Sequence, residues 1–191
     1  SVGRSFEPYA QIKILNPDGD GVGEIAAKGP MVMKGYYKMP EETAKMFTED
    51  GWFKTGDLGK IDSEYYVTLC GRAKNMIVTS GGKNVYPEEI EDAFQLCDDI
   101  QQIVVQGYTT KEDETSEEIE ALIYPSDSAY EALGQKREED FNSAQINQRI
   151  QNEVSKVNKT LQPYARITRI TILENPLEMT TTKKIKRNYK K

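Results

Sequence analysis

The sequence predicts an α+β protein in which a mostly β N-terminal piece is followed by a compact α+β domain. Up to residue 72, short segments alternate polar and apolar residues and are separated by turn-forming residues, which is typical of strands and hairpins. Beyond residue 72, apolar strands alternate with segments whose apolar residues recur at helical spacing. The predicted domains are therefore residues 1–72 and residues 73–191.

The N-terminal piece is predicted to contain hairpins and one short helix. A turn cluster of Pro, Asp and Gly separates the first two strands. The helix begins at Pro40, which suits the first helical position, and two glutamates follow in the first turn, where the helix dipole favours acids. The predicted segments are strands at 10–15 and 22–27, a helix at 40–47, and a hairpin at 61–70 that turns at residues 63–64.

The C-terminal domain is predicted to pack helices against strands. One helix opens at Pro87, and a longer helix is capped by Ser143; both carry an apolar stripe. The stripe residues are Ile90, Ala93, Phe94 and Cys97 in the first helix, and Ile146, Ile150, Val154, Val157 and Leu161 in the second. The other predicted segments are a short strand at 75–79, a loop at 80–83, strands at 100–108, 119–124 and 166–173, a surface loop at 111–118, a partly helical segment at 126–140, and a basic tail from residue 183.

Composition excludes several classes of function. The net charge of -6 argues against general nucleic-acid binding. No stretch approaches the ~20 apolar residues of a membrane span, and no basic-then-apolar leader opens the chain. The absence of histidine excludes Ser–His and Cys–His catalysis and histidine metal sites within this chain. Cys70 and Cys97 have no metal or redox spacing, so we expect buried thiols, no metal site, and a cytoplasmic protein.

The first cluster that could carry chemistry is the segment at 51–57, which ends in Thr55-Gly56-Asp57. A carboxylate that follows a glycine turn can accept hydrogen bonds from two neighbouring hydroxyl groups, as a ribose offers. The triplet also fits an ordinary turn in which Asp57 bonds to nearby backbone, and the residues alone favour that interpretation.

The second cluster, at 71–91, places glycines before a helix, as phosphate-binding loops do. However, Lys83 is followed by Asn84, and the spacing of a Walker loop is missing. Glu88 and Glu89 occupy the start of the helix, where they would repel a phosphate. The residues alone therefore favour an ordinary strand–turn–helix connection.

The third cluster, at 180–187, holds three threonines followed by a run of lysines and Arg187. Composition alone favours a solvated basic tail.

Taken in order, these clusters resemble the motifs of the adenylate-forming (AMP-dependent synthetase/ligase) superfamily, which includes acyl-CoA synthetases and luciferases. The tail is most similar to that of the long-chain fatty acid–CoA ligases, because a lysine rather than a glycine precedes Lys184. The motifs are Thr55-Gly56-Asp57, Gly71-Arg72-x-Lys74, Gly81-Gly82-Lys83-Asn84-x-x-Pro87-x-x-Ile90-Glu91 and Thr180-x-Thr182-x-Lys184-x-Lys186-Arg187.

The resemblance implies that residues 1–72 are the β-rich end of a large N-terminal domain and that residues 73–191 are the small, mobile C-terminal domain. It also implies a role for each motif residue. Asp57 and Arg72 would bind the ATP ribose, Lys74 would be the hinge, Gly82 would lie near the pantetheine channel, and Lys184 would catalyse adenylation of the carboxylate.

The implied substrates and cofactors are a fatty acid, ATP, coenzyme A and Mg²⁺, and their sites lie mostly in the large domain. The Ser/Thr/Gly-rich ATP phosphate loop and the acyl pocket of the family are missing from the sequence, so we expect the chain alone to be inactive. The motif register favours Lys184 over Lys183. Two alternatives stay open: a non-catalytic interaction module with the same fold, and a nucleic-acid binder that uses the basic tail, which the net acidity disfavours. Acyl chain length, oligomeric state and peripheral membrane association are left open.

Overall fold

The computed structural model describes residues 1–5, 9–109, 117–182 and 184–187. The chain divides into two compact units, Ser1–Met76 and Ile77–Lys191. The predicted boundary between residues 72 and 73 lies slightly before this division, at the start of a 3-10 turn over Ala73–Asn75. The α+β class predicted from the sequence is confirmed.

The first unit is built on one antiparallel sheet with the strand order β1-β5-β4-β3-β2. Its elements are β1 (Gly3–Arg4), β2 (Gln11–Leu15), β3 (Gly23–Lys28), helix α1 (Pro40–Lys45), β4 (Phe53–Ile61) and β5 (Tyr66–Arg72). The buried apolar side chains come from the last three strands of that list and the turn before β3: Val22, Ile25, Ala26, Leu58, Val67 and Cys70. The helix α1 buries none of its residues.

Both predicted hairpins of this unit are present, but the second is longer than the sequence suggested. Strand β4 begins at Phe53 rather than near Ile61, because residues 53–54 pair with the end of β3. The Thr55-Gly56-Asp57 triplet therefore lies inside a strand and not in a free turn.

The second unit contains a three-stranded sheet with the order β10-β9-β8, in which β8 is antiparallel and β10 parallel to the central strand. Its elements are β6 (Ile77–Val78), β7 (Asn84–Val85), helix α2 (Pro87–Asp92), β8 (Ile100–Tyr108), β9 (Glu118–Pro125), helices α3 (Asp127–Glu131), α4 (Arg137–Asp140) and α5 (Ala144–Asn158), a 3-10 turn (Pro163–Ala165), and β10 (Arg169–Ile172). The short strands β6 and β7 form a separate hairpin.

One face of the three-stranded sheet packs in the hydrophobic core with the helices. Val105, Ala121 and Ile123 are fully buried on this face. The stripe of α5 predicted from the sequence supplies Ile146, Ile150 and Val154 to the same core. Ser143 caps this helix as expected, since its hydroxyl accepts a hydrogen bond from the Ile146 amide at 3.3 Å.

The opposite face of the sheet is covered by the C-terminal segment. Side chains alternate across a strand, so Val104 and Leu122 point away from the core of helices. These two residues and Gln106 line a small cavity of about 230 Å³ whose other wall is formed by the segment that follows β10. The wall residues of that segment are Pro176, Leu177, Glu178, Lys186 and Arg187.

Two sequence predictions for this unit need correction. The helix from Pro87 ends at Asp92 and continues as tight turns, in which the amides of Ala93 and Phe94 bond to carbonyls three residues earlier. Phe94 is still buried, because a tighter turn keeps it on the core side. The predicted strand at 75–79 pairs only over Ile77–Val78, since the 3-10 turn takes its first residue. Most of the predicted loop at 111–118 lies outside the described residues.

Within the described part of the chain, no helix is long and apolar enough to cross a membrane.

We expect the second unit to fold without the first, because it has its own core of buried side chains from seven helices and strands. A chain that begins at Lys74 should melt in one cooperative transition, measured by far-UV circular dichroism and calorimetry. A protease-sensitive product without a cooperative transition would contradict this expectation.

Candidate functional site

The Thr55-Gly56-Asp57 triplet forms a bulge in β4. The pairing of β3 with β4 shifts register here, so that one residue of β3 faces the triplet. Gly56 adopts a positive φ of 74°, which glycine tolerates without strain. The Thr55 hydroxyl donates to the Ile25 carbonyl at 2.7 Å and accepts from the Asp57 amide at 3.1 Å. The bulge therefore fixes the backbone from which the Asp57 side chain projects.

Asp57 and Arg72 are direct partners across β4 and β5. Arg72 Nε lies 2.7 Å from Asp57 Oδ1, and the two side chains are 52% and 33% exposed, respectively. A carboxylate held by one arginine contact still has acceptor sites for hydroxyl donors. The structure thus brings together two residues that the sequence placed fifteen positions apart. Their pairing is an observation, whereas their binding of a ribose stays a prediction.

Lys74 lies in the 3-10 turn that directly follows β5, and its side chain is exposed. This turn is close in sequence to the division between the two units. Its role as a hinge is not tested by these contacts.

Gly82 lies in the tight turn of the β6–β7 hairpin. Its amide donates to the Thr79 carbonyl at 2.8 Å, and the Thr79 amide donates to the Lys83 carbonyl at 3.1 Å. The φ of Gly82 is 66°, and a Cβ at this position would meet no atom within 4 Å. The loop is therefore the tip of a hairpin, and the chain continues from it through Tyr86 into α2. The residues alone favoured an ordinary strand–turn–helix connection over a phosphate-binding loop; in the structure a complete hairpin precedes the helix.

The tail does not behave as the solvated segment that its composition favoured. Met179 and Ile185 pair as an antiparallel bridge, and the Lys186 amide donates to the Glu178 carbonyl at 2.8 Å. The Thr180 amide donates to the Lys184 carbonyl at 2.7 Å. These bonds close a small hairpin, called here the Lys184 hairpin, over residues 178–186. Lys183 lies outside the described residues.

Lys184 has a fixed backbone and an exposed side chain. Its amide donates to the Thr180 hydroxyl at 3.1 Å, and the Thr180 and Thr182 hydroxyls lie 2.9 Å apart. The threonines of the motif thus satisfy the polar groups of the turn itself. The ammonium group of Lys184 is left at the end of a flexible stem in solvent.

Arg187 ties the end of this hairpin to the body of the second unit. Its guanidinium donates to the Glu91 carboxylate of α2 and to the Val105 carbonyl of β8, the latter at 3.2 Å. Glu88 lies 3.7 Å away as a second acid. The side chains of Arg187 and Glu91 are only 15% and 18% exposed, so this is a largely buried ion pair.

Two opposing influences act on the pKa of the buried Glu91 carboxyl group. Burial raises its pKa to about 7, which outweighs the Arg187 charge and the Val105 amide that favour the ionised form. The Val105 amide donates to Glu91 Oε1 at 2.7 Å. Sequence analysis included Glu91 and Arg187 in motifs but gave neither a role. The signal available in the sequence was an acidic residue at the end of one motif and an arginine at the end of another, distant motif.

No group of three or more His, Cys, Asp or Glu side chains that could hold a metal ion occurs among the residues that the structure describes.

Comparison with protein families places these motifs in a known context. The model of a family described as "AMP-binding enzyme C-terminal domain" matches residues 74–190. A long-chain-fatty-acid–CoA ligase of Bacillus subtilis is 49% identical over 85 residues, which are 44% of this chain and 15% of that protein. One of Mus musculus is 38% identical over 89 residues, or 47% of this chain and 12% of the relative. A sulfoacetate–CoA ligase of Cupriavidus necator is 52% identical over 78 residues, which are 41% of this chain and 15% of that protein.

Solved structures agree with the fold. ATP-bound MatB from Rhodopseudomonas palustris superposes with a TM-score of 0.68 at 29% identity, over 93% of this chain and 32% of that one. The A domain of a carboxylic acid reductase from Segniliparus rugosus, in complex with AMP and a carboxylic acid, has a TM-score of 0.80 at 23% identity. It covers 97% of this chain and 30% of that chain, and it supports the fold alone. The chain thus spans about a third of these structures.

The raised pKa of Glu91 makes a testable contribution to stability. A carboxyl group whose pKa is higher in the folded than in the unfolded chain stabilises the fold at a pH below its unfolded pKa, which is 4.5 for Glu91. This contribution is lost as the pH rises through the folded pKa of about 7. The wild-type chain should therefore lose stability relative to Glu91→Gln between pH 4.5 and 7, by at most about 3 kcal/mol. Urea unfolding at a series of pH values measures this difference. Glu131→Gln, at an exposed position, is the control, and a wild-type–variant difference that does not change with pH would contradict the assignment.

Proposed function

The chain belongs to the AMP-binding enzyme C-terminal domain family, and from that premise we propose that it is the C-terminal part of an ATP-dependent, AMP-forming acyl-CoA ligase. The observation that carries the proposal is the Lys184 hairpin, which holds the exposed side chain of Lys184 on an anchored backbone. The proposed overall reaction joins a carboxylic acid to coenzyme A through an acyl-adenylate.

Long-chain fatty acids are the proposed acyl substrates. Support comes from the names of relatives in Bacillus subtilis and Mus musculus and from the lysine before Lys184 in the tail motif. The sulfoacetate ligase is comparably similar over a shorter segment, so the acyl group is the part of the proposal that most needs a test. The proposed compartment is the cytoplasm.

Asp57 and Arg72 are the proposed ribose-binding residues. The Asp57 carboxylate is partly exposed and is oriented by the Arg72 guanidinium at 2.7 Å. Two neighbouring hydroxyl groups could donate to its oxygens while the arginine holds the carboxylate in place. ATP as the nucleotide is supported by MatB from Rhodopseudomonas palustris, a structural relative that was solved with ATP bound.

Lys184 is the proposed catalytic residue of the first half-reaction. A carboxylate oxygen attacks the α-phosphorus of ATP, the bond to the β-phosphate oxygen breaks, and pyrophosphate leaves with that electron pair. Two anions must approach each other in this step, so a cation between them lowers the barrier. A charge pair at ~4 Å gives about 4 kcal/mol at an effective dielectric of ~20. A compact ammonium on a long stem suits this task.

Gly82 and Lys74 are proposed for the second half-reaction. There the thiol sulfur of coenzyme A attacks the acyl carbonyl carbon, AMP leaves, and the thiol proton is released. A hairpin tip without a side chain would leave space beside the pantetheine arm. The β6–β7 hairpin, whose turn contains Gly82, is called here the Gly82 hairpin. Rotation about Lys74 would move the Lys184 hairpin away from the reacting atoms and bring the Gly82 hairpin to them. Mg²⁺ would neutralise the phosphates, held by groups outside the described residues.

The 191-residue chain should not form acyl-AMP by itself, because the family's phosphate loop and acyl pocket are not in its sequence. Exchange of labelled pyrophosphate into ATP, measured with carboxylic acids of several lengths, should stay at background. Acid-dependent exchange above background would contradict the proposal that the chain is one part of a ligase.

The full-length ligase should prefer long-chain acids to sulfoacetate and malonate when kcat/KM is compared across a panel of acids. A preference for a short, charged acid would overturn the proposed substrate and leave the proposed ligase chemistry intact.

In the full-length ligase, Lys184→Ala should slow adenylation by about a hundredfold or more, because it removes the cation between the two anions. The thioester step, started from preformed acyl-AMP, should be nearly unchanged. Gly82→Leu should reverse this pattern, and Lys183→Ala is the matched control that should affect neither half-reaction. Equal slowing of both steps by Lys184→Ala, or a larger effect of Lys183→Ala, would overturn the assignment.

A further inference from the structure

A lysine on a short hairpin must be held in place by contacts outside the hairpin. The Lys184 hairpin is short and exposed. Isolated two-stranded hairpins are marginally stable in water. The position of Lys184 therefore depends on the contacts that attach the hairpin to the second unit.

Polar contacts attach the hairpin on both sides. On the incoming side, the Leu177 amide donates to the Gln102 side chain of β8 at 2.7 Å. On the outgoing side, Arg187 bonds to Glu91 of α2 and to the Val105 carbonyl of β8. Arg187 thus contacts two elements of the second unit at once, and only two residues separate it from Lys184. The backbone of Lys184 is therefore linked to the sheet and to α2 through a short stretch of chain.

We propose that Arg187 is a positioning residue for adenylation, which fixes the Lys184 hairpin by its ion pair with Glu91 and its bond to Val105. The proposal rests on the proposed function, since it assumes that Lys184 acts in the first half-reaction. It deepens that function by giving Glu91 and Arg187 a task that does not involve contact with substrate.

The energetics support an anchor rather than a surface ion pair. Both partners are largely buried, and removing one partner leaves the other as an uncompensated charge, which is far more costly than losing an exposed pair. The guanidinium also donates to a carbonyl of β8, and its planar fork presents its donors in a fixed geometry that the flexible stem of a lysine does not provide.

Loss of the anchor should affect one half-reaction selectively. A catalytic group displaced by about 1 Å can cost on the order of a hundredfold in rate, because reaction requires a near-attack geometry. Adenylation uses Lys184 and therefore depends on the anchor. In the thioester step the lysine is not needed, so the same displacement has little effect.

Glu91 adds a pH signature to this role. The groups that face it are Glu88 and Asp92 of its own helix, Arg187 of the tail and the Val105 amide of β8. Protonation of Glu91 replaces a charged hydrogen bond to Arg187 with a weaker neutral one. Adenylation should therefore rise with pH through the neutral range as Glu91 ionises, and Glu91→Gln should remove that limb of the profile.

The first test uses the 191-residue chain and requires no measurement of enzyme activity. Amide hydrogen exchange, measured by NMR, reports the Thr180 and Lys186 bonds that close the hairpin. Arg187→Ala should speed exchange at both amides by about tenfold or more, because it frees the hairpin. The matched control is Arg149→Ala, which breaks a bidentate pair with the buried Asp99 elsewhere in the same unit. The control should leave both amides protected, and unchanged protection in Arg187→Ala would overturn the anchor.

The second test measures the two half-reactions in the full-length ligase. Arg187→Ala should slow adenylation about tenfold or more and change the thioester step by less than about twofold. Arg187→Lys should recover part of the loss, and Arg149→Ala should show no such split. If Lys184→Ala leaves adenylation intact, the proposed function fails. If Lys184→Ala abolishes adenylation but Arg187→Ala does not slow it, the positioning role fails.

Discussion

The three-stranded sheet of the second unit has two faces that must both be covered, and this constraint shapes the C-terminal half of the chain. Helices cover one face, where Val105, Ala121 and Ile123 are completely buried. The helices leave Val104 and Leu122 on the other face, and the segment after β10 returns across it. The tail is consequently part of the fold. A basic composition does not decide whether a terminal segment is solvated when an apolar sheet face lies within its reach.

Buried acids in this unit are each paired with an arginine from a distant segment, but their protonation differs. Glu120 accepts from Arg169, Gln106 and Thr171, and these bonds outweigh the burial that raises its pKa, so that the pKa is held below its usual value. Glu91 has fewer donors for its degree of burial, so burial prevails and raises the pKa to about 7. Burial and hydrogen-bond supply therefore act together on the pKa of a paired carboxylate.

The sequence predicted what local pattern determines. The stripe of α5, the Ser143 cap and the β2–β3 hairpin follow from periodicity and turn chemistry, and all three are present. It failed where tertiary pairing overrides local preference. The bulge in β4 depends on how residues 24–26 of β3 pair with β4, and a turn-like triplet carries no information about that partner.

The candidate site shows the same limit. The motifs singled out Asp57, Arg72, Gly82 and Lys184, but only the cross-strand register makes Asp57 and Arg72 neighbours. Arg187 is part of the tail motif, but its burial depends on a sheet face and a helix more than eighty residues away in sequence. Spacing along the chain does not reveal such a contact, because it arises from packing between elements.

Helix α2 connects the two loops that the proposed reaction uses in turn. The Gly82 hairpin leads into its first residue, and Arg187 binds its last turn through Glu91. A movement of the whole unit would therefore carry both hairpins as parts of one body, without any rearrangement between them. Glu88 lies in the first turn of this helix and faces the same arginine that binds Glu91 in the last turn. An acid thus occupies the place where a phosphate would approach the helix start, which disfavours an anion there and is consistent with the proposed use of the glycine loop in the thioester step instead.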